Sequence, residues 1–317
     1  MKVLVTGGAG FIGSNFVSQF VSGKYPEIDR VIVLDKLTYA GKLENLSDAL
    51  KDPRVSFVQG DICDFSLVTK IVTEVNAIVN FAAESHVDRS IESASEFIRT
   101  NVLGTQTLLE SARIHKIEKF LQVSTDEVYG SISSGSWKED SPLLPNSPYS
   151  ASKAGADLLV RSYHVTHNLK TIITRCSNNC GPRQYPEKLI PLFVTQLLKG
   201  EKVPVYGTGS NIRDWLHVED HCLGIYIALT KGASGEIYNI GGGVELTNLE
   251  LTKSILTLMS LPLERIEYVG DRLGHDFRYS VDWSKIQKLG YSSEKDFTQE
   301  LNQTVRWFTE NSLFKKK

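Results

Sequence analysis

Six short apolar runs, each followed by a longer amphipathic stretch, occupy the first half of the chain at residues 2–6, 30–35, 55–59, 77–81, 119–124 and 171–175. Runs this short and this uniformly apolar describe strands covered on both faces, and parallel strands need a long crossover, usually a helix, between them. The rhythm therefore predicts an α/β protein with a doubly wound parallel sheet. After Arg175 the pattern changes: Pro182, Pro186, Pro191 and Pro204 cut the chain into short pieces, with one helical stretch at 190–199. A later apolar run at 235–240 is expected to rejoin the main sheet. Beyond it lie a helix over about 249–259, an extended piece at 264–268 and an amphipathic helix over about 297–311. The second region is thus discontinuous in sequence. The expected division is 1–178 plus about 214–243 for the sheet domain, and about 179–213 plus 244–317 for a smaller α/β region that grips a substrate.

The first strand runs into Gly7, Gly10 and Gly13, which allow a tight turn, let the backbone approach a pyrophosphate and seat the next helix with its free N–H groups toward phosphate. The spacing is GxxGxxG rather than GxGxxG. Asp35 closes the second strand at about the ~20-residue offset where an acid receives the adenosine ribose hydroxyls. Together these features make the sheet Rossmann-type. A carboxylate there repels a 2′-phosphate and favours NAD over NADP, with Lys36 beside it as the opposing consideration. Asp61, after the third strand, either faces the adenine or caps the following helix.

Composition excludes several classes. The chain has 317 residues, 41% of them hydrophobic and 23% charged, with a formal net charge of −2, so nothing global favours nucleic acid. No run approaches the ~18 apolar residues of a membrane span, and the first strand begins too early for a signal peptide. Cys63, Cys176, Cys180 and Cys222 lack metal-ligand spacing and read as reduced thiols of a cytoplasmic protein with no metal site. The Lys315-Lys316-Lys317 tail reads as a solvated terminus.

The chemistry concentrates in two motifs. Tyr149 and Lys153, four residues apart, share one helix face, where an ammonium favours the phenolate. Thr125-Asp126-Glu127 ends the fifth strand and adds two carboxyl groups to that base. They serve either as acid and base or as caps of the next turn. Arg213 and Arg278 are candidates to grip a diphosphate bidentately, with Asn179 as a neutral donor.

These residues, with those of 82–90, 124–130, 177–179, 186–191 and 209–215, resemble the extended short-chain dehydrogenase/reductases, and within them the dTDP-glucose 4,6-dehydratases. The resemblance implies dehydration of dTDP-glucose to dTDP-4-keto-6-deoxyglucose with NAD held throughout. Tyr149 would deprotonate the carbon-4 hydroxyl, Thr125 would bond its oxygen, Glu127 would take the carbon-5 proton and Asp126 would protonate the departing carbon-6 hydroxyl. It also assigns Phe11, Ile12, Ile62, Ala82, Ala83 and Thr100 to the cofactor side. Ser85 and Glu187 go near the sugar, and Asn178, Lys188, Leu189, Tyr206, Asn248, His275 and Tyr279 around the nucleotide, any of which is otherwise a surface or capping residue. His86 and Arg89 read as structural hydrogen-bonders. Relatives pair through helices matching 94–113 and 149–167, so a homodimer is expected. Cys180 and Arg183 depart from the family pattern, which has larger aromatic residues there, and the 131–148 loop is short. The rivals are a UDP-sugar 4-epimerase or UDP-glucuronate decarboxylase, which need no Asp-Glu pair, a GDP-mannose dehydratase, which places Ser at position 126, and a non-catalytic dinucleotide sensor.

Overall fold

The computed structural model describes residues 1–311; the Lys315-Lys316-Lys317 tail lies outside the described residues. Twelve strands follow in chain order: β1 Lys2–Thr6, β2 Arg30–Asp35, β3 Val55–Gln59, β4 Ala77–Asn80, β5 Lys119–Thr125, β6 Thr171–Cys176, β7 Asn178–Cys180, β8 Val203–Tyr206, β9 Ile212–His217, β10 Ile237–Ile240, β11 Val244–Thr247 and β12 Ile266–Val269. Seven form one sheet in the order β10-β6-β5-β4-β1-β2-β3, and every pairing in it is parallel. The strand expected near 235–240 does return to it, beside β6.

Successive side chains of a strand point to opposite faces, and this sheet uses both. Val3, Val5, Val31, Val33, Ala77 and Val79 face a core closed by the helices Phe11–Val21 and Val218–Lys231. Their neighbours Leu4, Ile32, Leu34, Ile78 and Phe120 face a second core under the helices Phe65–Val72, Thr105–Ile114 and Pro148–His167. Burial on both sides explains why the sequence runs are apolar throughout rather than alternating.

A third core gathers Cys180, Phe193, Trp215, Leu251, Ile255, Leu301 and Phe308 from the later part of the chain. It is built on the three-stranded sheet β11-β9-β7, the pair β12-β8, and the helices Leu189–Leu198, Asn248–Leu258 and Phe297–Glu310. The sequence boundary near 214 falls inside β9. That strand belongs to the small sheet, yet Leu216 and Val218 already pack in the first core, so the chain crosses between the two regions within a few residues.

Strand order reverses between β1 and β4, and open parallel sheets bind ligands in the crevice beyond the carboxyl ends of such strands. One helix matters most there. Pro148–His167 starts with a Ser147/Ser150 capping box and Pro148 in its first turn. It is strapped to β6 by Arg175, whose Nε lies 2.9 Å from Asp157, both side chains being 3% or less exposed. The Arg175 guanidinium also stands 4.7 Å from the Tyr129 ring centre. Removing one partner of a buried pair strands the other charge. Asp157→Ala is therefore expected to lose about 3–5 kcal/mol of unfolding free energy in urea titration. A loss near that of an exposed pair, under about 1 kcal/mol, would show that this strap does not hold the helix.

Candidate active site

The glycine turn after β1 is shaped by contact. Gly7 has φ +66°, and a Cβ on it would lie 2.6 Å from the Ala82 nitrogen, while one on Gly13 would lie 2.5 Å from the Gly7 carbonyl oxygen. No side chain can be accommodated at either place without moving backbone. Gly10 precedes the helix without a side-chain cap, so the first-turn N–H groups remain open to an anion. Asp35 accepts from Ala9 N–H at 2.9 Å and from Leu37 N–H at 2.8 Å, fastening the turn to β2. One bond to each oxygen leaves lone pairs for ribose hydroxyls. A dinucleotide fits this cradle. Gly7, Gly10, Phe11, Ile12, Gly13, Asp35, Lys36, Asp61, Ile62, Ala82, Ala83, Thr100, Tyr149 and Lys153 all line one cavity at the carboxyl ends of the strands.

Asp61 does not cap a helix, because Asp64 does so, accepting from Leu67 N–H. Its Oδ2 is held by Lys36 at 3.0 Å and Arg99 at 3.1 Å. Burial works against its charge, but the Cys63 N–H, Lys36 and Arg99 overcome that and hold the carboxyl down at about 2. Lys36 is thereby engaged by a carboxylate.

Thr125, Asp126 and Glu127 line the same cavity. The short turn Asp126–Tyr129 is capped by Thr125, whose hydroxyl accepts from Glu127 N–H, so neither carboxylate is used as a cap. Asp126 is 2% exposed; its Oδ1 accepts from the Thr125 hydroxyl at 3.2 Å, and its Oδ2 is buried without a partner. Burial raises this carboxyl well above the usual 3.8, and the neighbouring Glu127 and Asp214 add to the rise. Burial raises Glu127 as well, but Lys188 and Arg213 oppose it. The environment separates the two acids, which is how a general acid and a general base are set side by side.

Tyr149 and Lys153 lie on one helix and line one cavity, and the ammonium has a main-chain partner there. Lys153 Nζ donates to the Val123 carbonyl at 2.7 Å, and burial lowers its own pKa. Burial pushes the Tyr149 phenol well above 10.0 and Glu127 adds to it, while a hydrogen bond with Thr125 opposes. The pull of Lys153 on the phenol that the spacing suggests is not among the leading influences.

A second cavity adjoins the first, and Glu127, Asn178, Asn179, Gln184, Glu187 and Lys188 line both. Ser85 lines the first; Leu189, Tyr206, Arg213, Asn248, His275 and Tyr279 line the second. Lys188 Nζ donates to the Ser85 carbonyl at 2.6 Å. Arg213 spans the carbonyls of Ile212 and Asp276 and lies 4.5 Å from the Tyr279 ring centre.

Arg278 is the exception. It lines neither cavity, and its guanidinium is taken bidentately by Glu245 at 2.7 and 2.6 Å, fixing a loop rather than facing a ligand. The arginine in the second cavity is Arg272, which sequence reasoning missed; it pairs with Asp88 at 2.6 Å across the cleft. A cationic side chain two residues before the turn glycine Gly274 was the available signal. Gln184 and Tyr185 are further lining residues without a sequence signature.

His86 caps the helix Val87–Glu92 and approaches the Glu187 carbonyl, and Arg89 pairs with Glu187 while lying 3.9 Å from the Tyr39 ring centre. Arg183 takes a left-handed conformation, φ 72°, and its guanidinium bonds Ser14, Asn15, Ser18 and Asn45. These bonds bolt the cavity loop to the first helix. Among the described residues no helix is long and apolar enough to cross a membrane.

A family model described as GDP-mannose 4,6 dehydratase matches residues 4–304. The chain is 57% identical over 315 residues to a dTDP-glucose 4,6-dehydratase of Actinoplanes sp., covering 98% of each. The crystal structure of DesIV, a dTDP-glucose 4,6-dehydratase from Streptomyces venezuelae with NAD and a second ligand bound, is 57% identical and superposes with a TM-score of 0.98 over 99% of this chain and 98% of that one. A UDP-glucose 4-epimerase of Thermotoga maritima, 29% identical, superposes at 0.89 over 98% of this chain and 99% of that one.

The buried Asp126 carboxyl makes a prediction with a definite sign. Its native pKa is raised, so the folded state holds a proton that the unfolded chain gives up above about 3.8, and stability falls as pH climbs from there toward the native value. Asp126→Asn removes that loss. The variant is expected to melt above the parent protein at pH 7–8, with the gap closing toward pH 4, in calorimetry across pH. Equal melting temperatures throughout would mean the carboxyl is not desolvated.

Proposed function

The chain belongs to the GDP-mannose 4,6-dehydratase family and within it to the dTDP-glucose 4,6-dehydratases, and from that premise we propose how its own residues share the reaction. It dehydrates dTDP-glucose to dTDP-4-keto-6-deoxyglucose, a step of deoxysugar biosynthesis, with NAD as its cofactor. NAD, held by the glycine turn, Asp35, Tyr149 and Lys153, would supply an acceptor for the carbon-4 hydride and a source of hydride for carbon 6.

Tyr149 removes the hydroxyl proton at carbon 4, and Thr125, which lines the same cavity, holds the same oxygen. A ketone at carbon 4 acidifies the proton on carbon 5. Glu127 takes that proton, and Lys188 and Arg213 favour the ionised form this needs. Asp126 gives its proton to the hydroxyl leaving carbon 6, so water departs; reduction of the carbon 5–carbon 6 double bond then takes a hydride at carbon 6 and a proton at carbon 5, which Glu127 returns. Lys153 orients the helix face and the cofactor ribose from its anchor on the Val123 carbonyl. Asn179, Lys188 and Arg213 grip the diphosphate, with Arg272 in the part first given to Arg278.

One observation carries this division: two adjacent carboxyls at the end of β5 line the cavity that holds Tyr149, and burial raises the more deeply covered one well above the usual carboxylate range. An epimerase has no use for either. A positioned acid or base contributes ~10²–10⁴ in rate. Glu127→Gln and Asp126→Asn are each expected to lose about that much turnover of dTDP-glucose, assayed by the alkali-induced absorbance of the keto sugar. Both should still oxidise carbon 4, seen as absorbance of reduced nicotinamide. Loss of oxidation to the same extent as elimination would contradict the assignment.

We also propose a cytoplasmic homodimer. Ile98, Leu103, Leu158 and Val165 are 50–60% exposed on the adjoining segment 95–114 and the helix Pro148–His167. Light scattering at micromolar concentration is expected to give about twice the 35.3 kDa chain mass; a monomer would rule the dimer out.

A further inference from the structure

Lys36, Asp61 and Arg99 form a charge cluster at the end of the first cavity where Asp35 stands, and none has a part in the acid–base chemistry above. Asp35 ends β2 opposite Gln59, the last residue of β3, and the Gly60 N–H donates to its carbonyl at 2.9 Å. The residues that follow the two strands are thereby brought together, and the Lys36 ammonium lies 3.0 Å from Asp61 Oδ2. Asp35, Lys36 and Asp61 all line the cavity. Arg99, outside that lining, reaches the same oxygen at 3.1 Å, while Oδ1 accepts from the Cys63 N–H at 2.9 Å.

Stability does not account for the cluster. Lys36 and Arg99 are 48% and 50% exposed, and ion pairs so open to water contribute little. Its charges matter instead for which dinucleotide can enter. An acid at the end of the second strand receives the adenosine ribose hydroxyls of NAD, whereas a cation nearby accommodates the 2′-phosphate of NADP. This chain carries both residue types side by side, at 35 and 36. A free ammonium on Lys36 would attract a 2′-phosphate and offset the repulsion from Asp35. We propose that Asp61 is a specificity-determining residue, which engages the Lys36 ammonium and neutralises it so that the cavity takes NAD and rejects NADP. Arg99 is a positioning residue for that carboxylate, a second cation that holds it in place. The proposal rests on the cofactor lying in the first cavity and adds a determinant of which dinucleotide lies there.

The ratio of affinities for NAD and NADP, measured by calorimetry on the full-length protein after removal of bound nucleotide, tests this. Asp61→Asn keeps an oxygen for the Cys63 N–H but drops the charge that holds Lys36. It is expected to shift the ratio about tenfold toward NADP, the low end for a charge-assisted hydrogen bond. Any contact from residue 61 to the adenine is common to both dinucleotides and cancels. Loss of a negative charge eases the approach of a phosphate by itself, so the decisive comparison is with Lys36. In a Lys36→Met background, Asp61→Asn should shift the ratio less than about twofold. The tenfold shift should also shrink as salt rises from ~0.05 to ~0.5 M, because a contact made by an exposed ammonium is screened. An equal shift in both backgrounds, or none in either, overturns the proposal and leaves the cofactor assignment standing. A parent protein that binds neither dinucleotide overturns both.

Discussion

A line of buried polar side chains across three central strands fixes everything above it. Thr6 of β1 donates to Asn80 of β4 at 2.6 Å, and Asn80 donates to Gln122 of β5 at 2.8 Å and to Thr105 of the overlying helix at 3.3 Å. Buried amides are costly unless paired, so a slip of one residue in any of these strands would strand them and turn each strand's apolar face the wrong way. The three strands end in the glycine turn, the Ala82-Ala83 segment and Thr125-Asp126-Glu127. Their common register is what brings a pyrophosphate cradle and a pair of carboxyls to the rim of one cavity.

Within that frame, chemical roles are assigned by burial and charge more than by residue type. Asp126 and Glu127 are adjacent in sequence and both raised by burial, Asp126 being the more deeply covered, while the cations Lys188 and Arg213 oppose the rise at Glu127. The phenol of Tyr149 is held above its usual range with Lys153 anchored elsewhere. The resting site therefore disfavours negative charge at its base. Burial is the leading cause at all three groups, so the cavity that would receive a ligand is lined by acids raised above their usual ranges.

The parallel sheet was legible because strands buried on both faces leave unbroken apolar runs, and β1, β2 and β3 fall at the residues read from the sequence. The lining of the first cavity was legible for a related reason: its residues cluster at strand ends, where glycine and acid have fixed physical tasks. Ligand contacts in the second region were less so. Arg278 and Arg272 sit on one irregular segment, and only the folded loop shows that Glu245 has claimed one while the other turns into the cleft. Arg183 shows the same limit, since a left-handed arginine reaching back to the first helix has no periodic signature. The Val123 carbonyl as partner of Lys153 was not legible, because helical spacing sets which face a side chain leaves from, not which partner its flexible stem selects.

The likeness to an epimerase at a TM-score of 0.89 shows that the backbone does not decide between reactions. Both kinds of enzyme need the phenol at carbon 4. What this chain adds lies at the junction of its two cavities, where Glu127, Asn179 and Lys188 belong to both linings. In the proposed division of labour, a sugar joined to a diphosphate in the second cavity and oxidised in the first passes through that junction, beside the Glu127 carboxyl that lines both. Elimination follows from placing an acid pair along a route that the older redox chemistry already required.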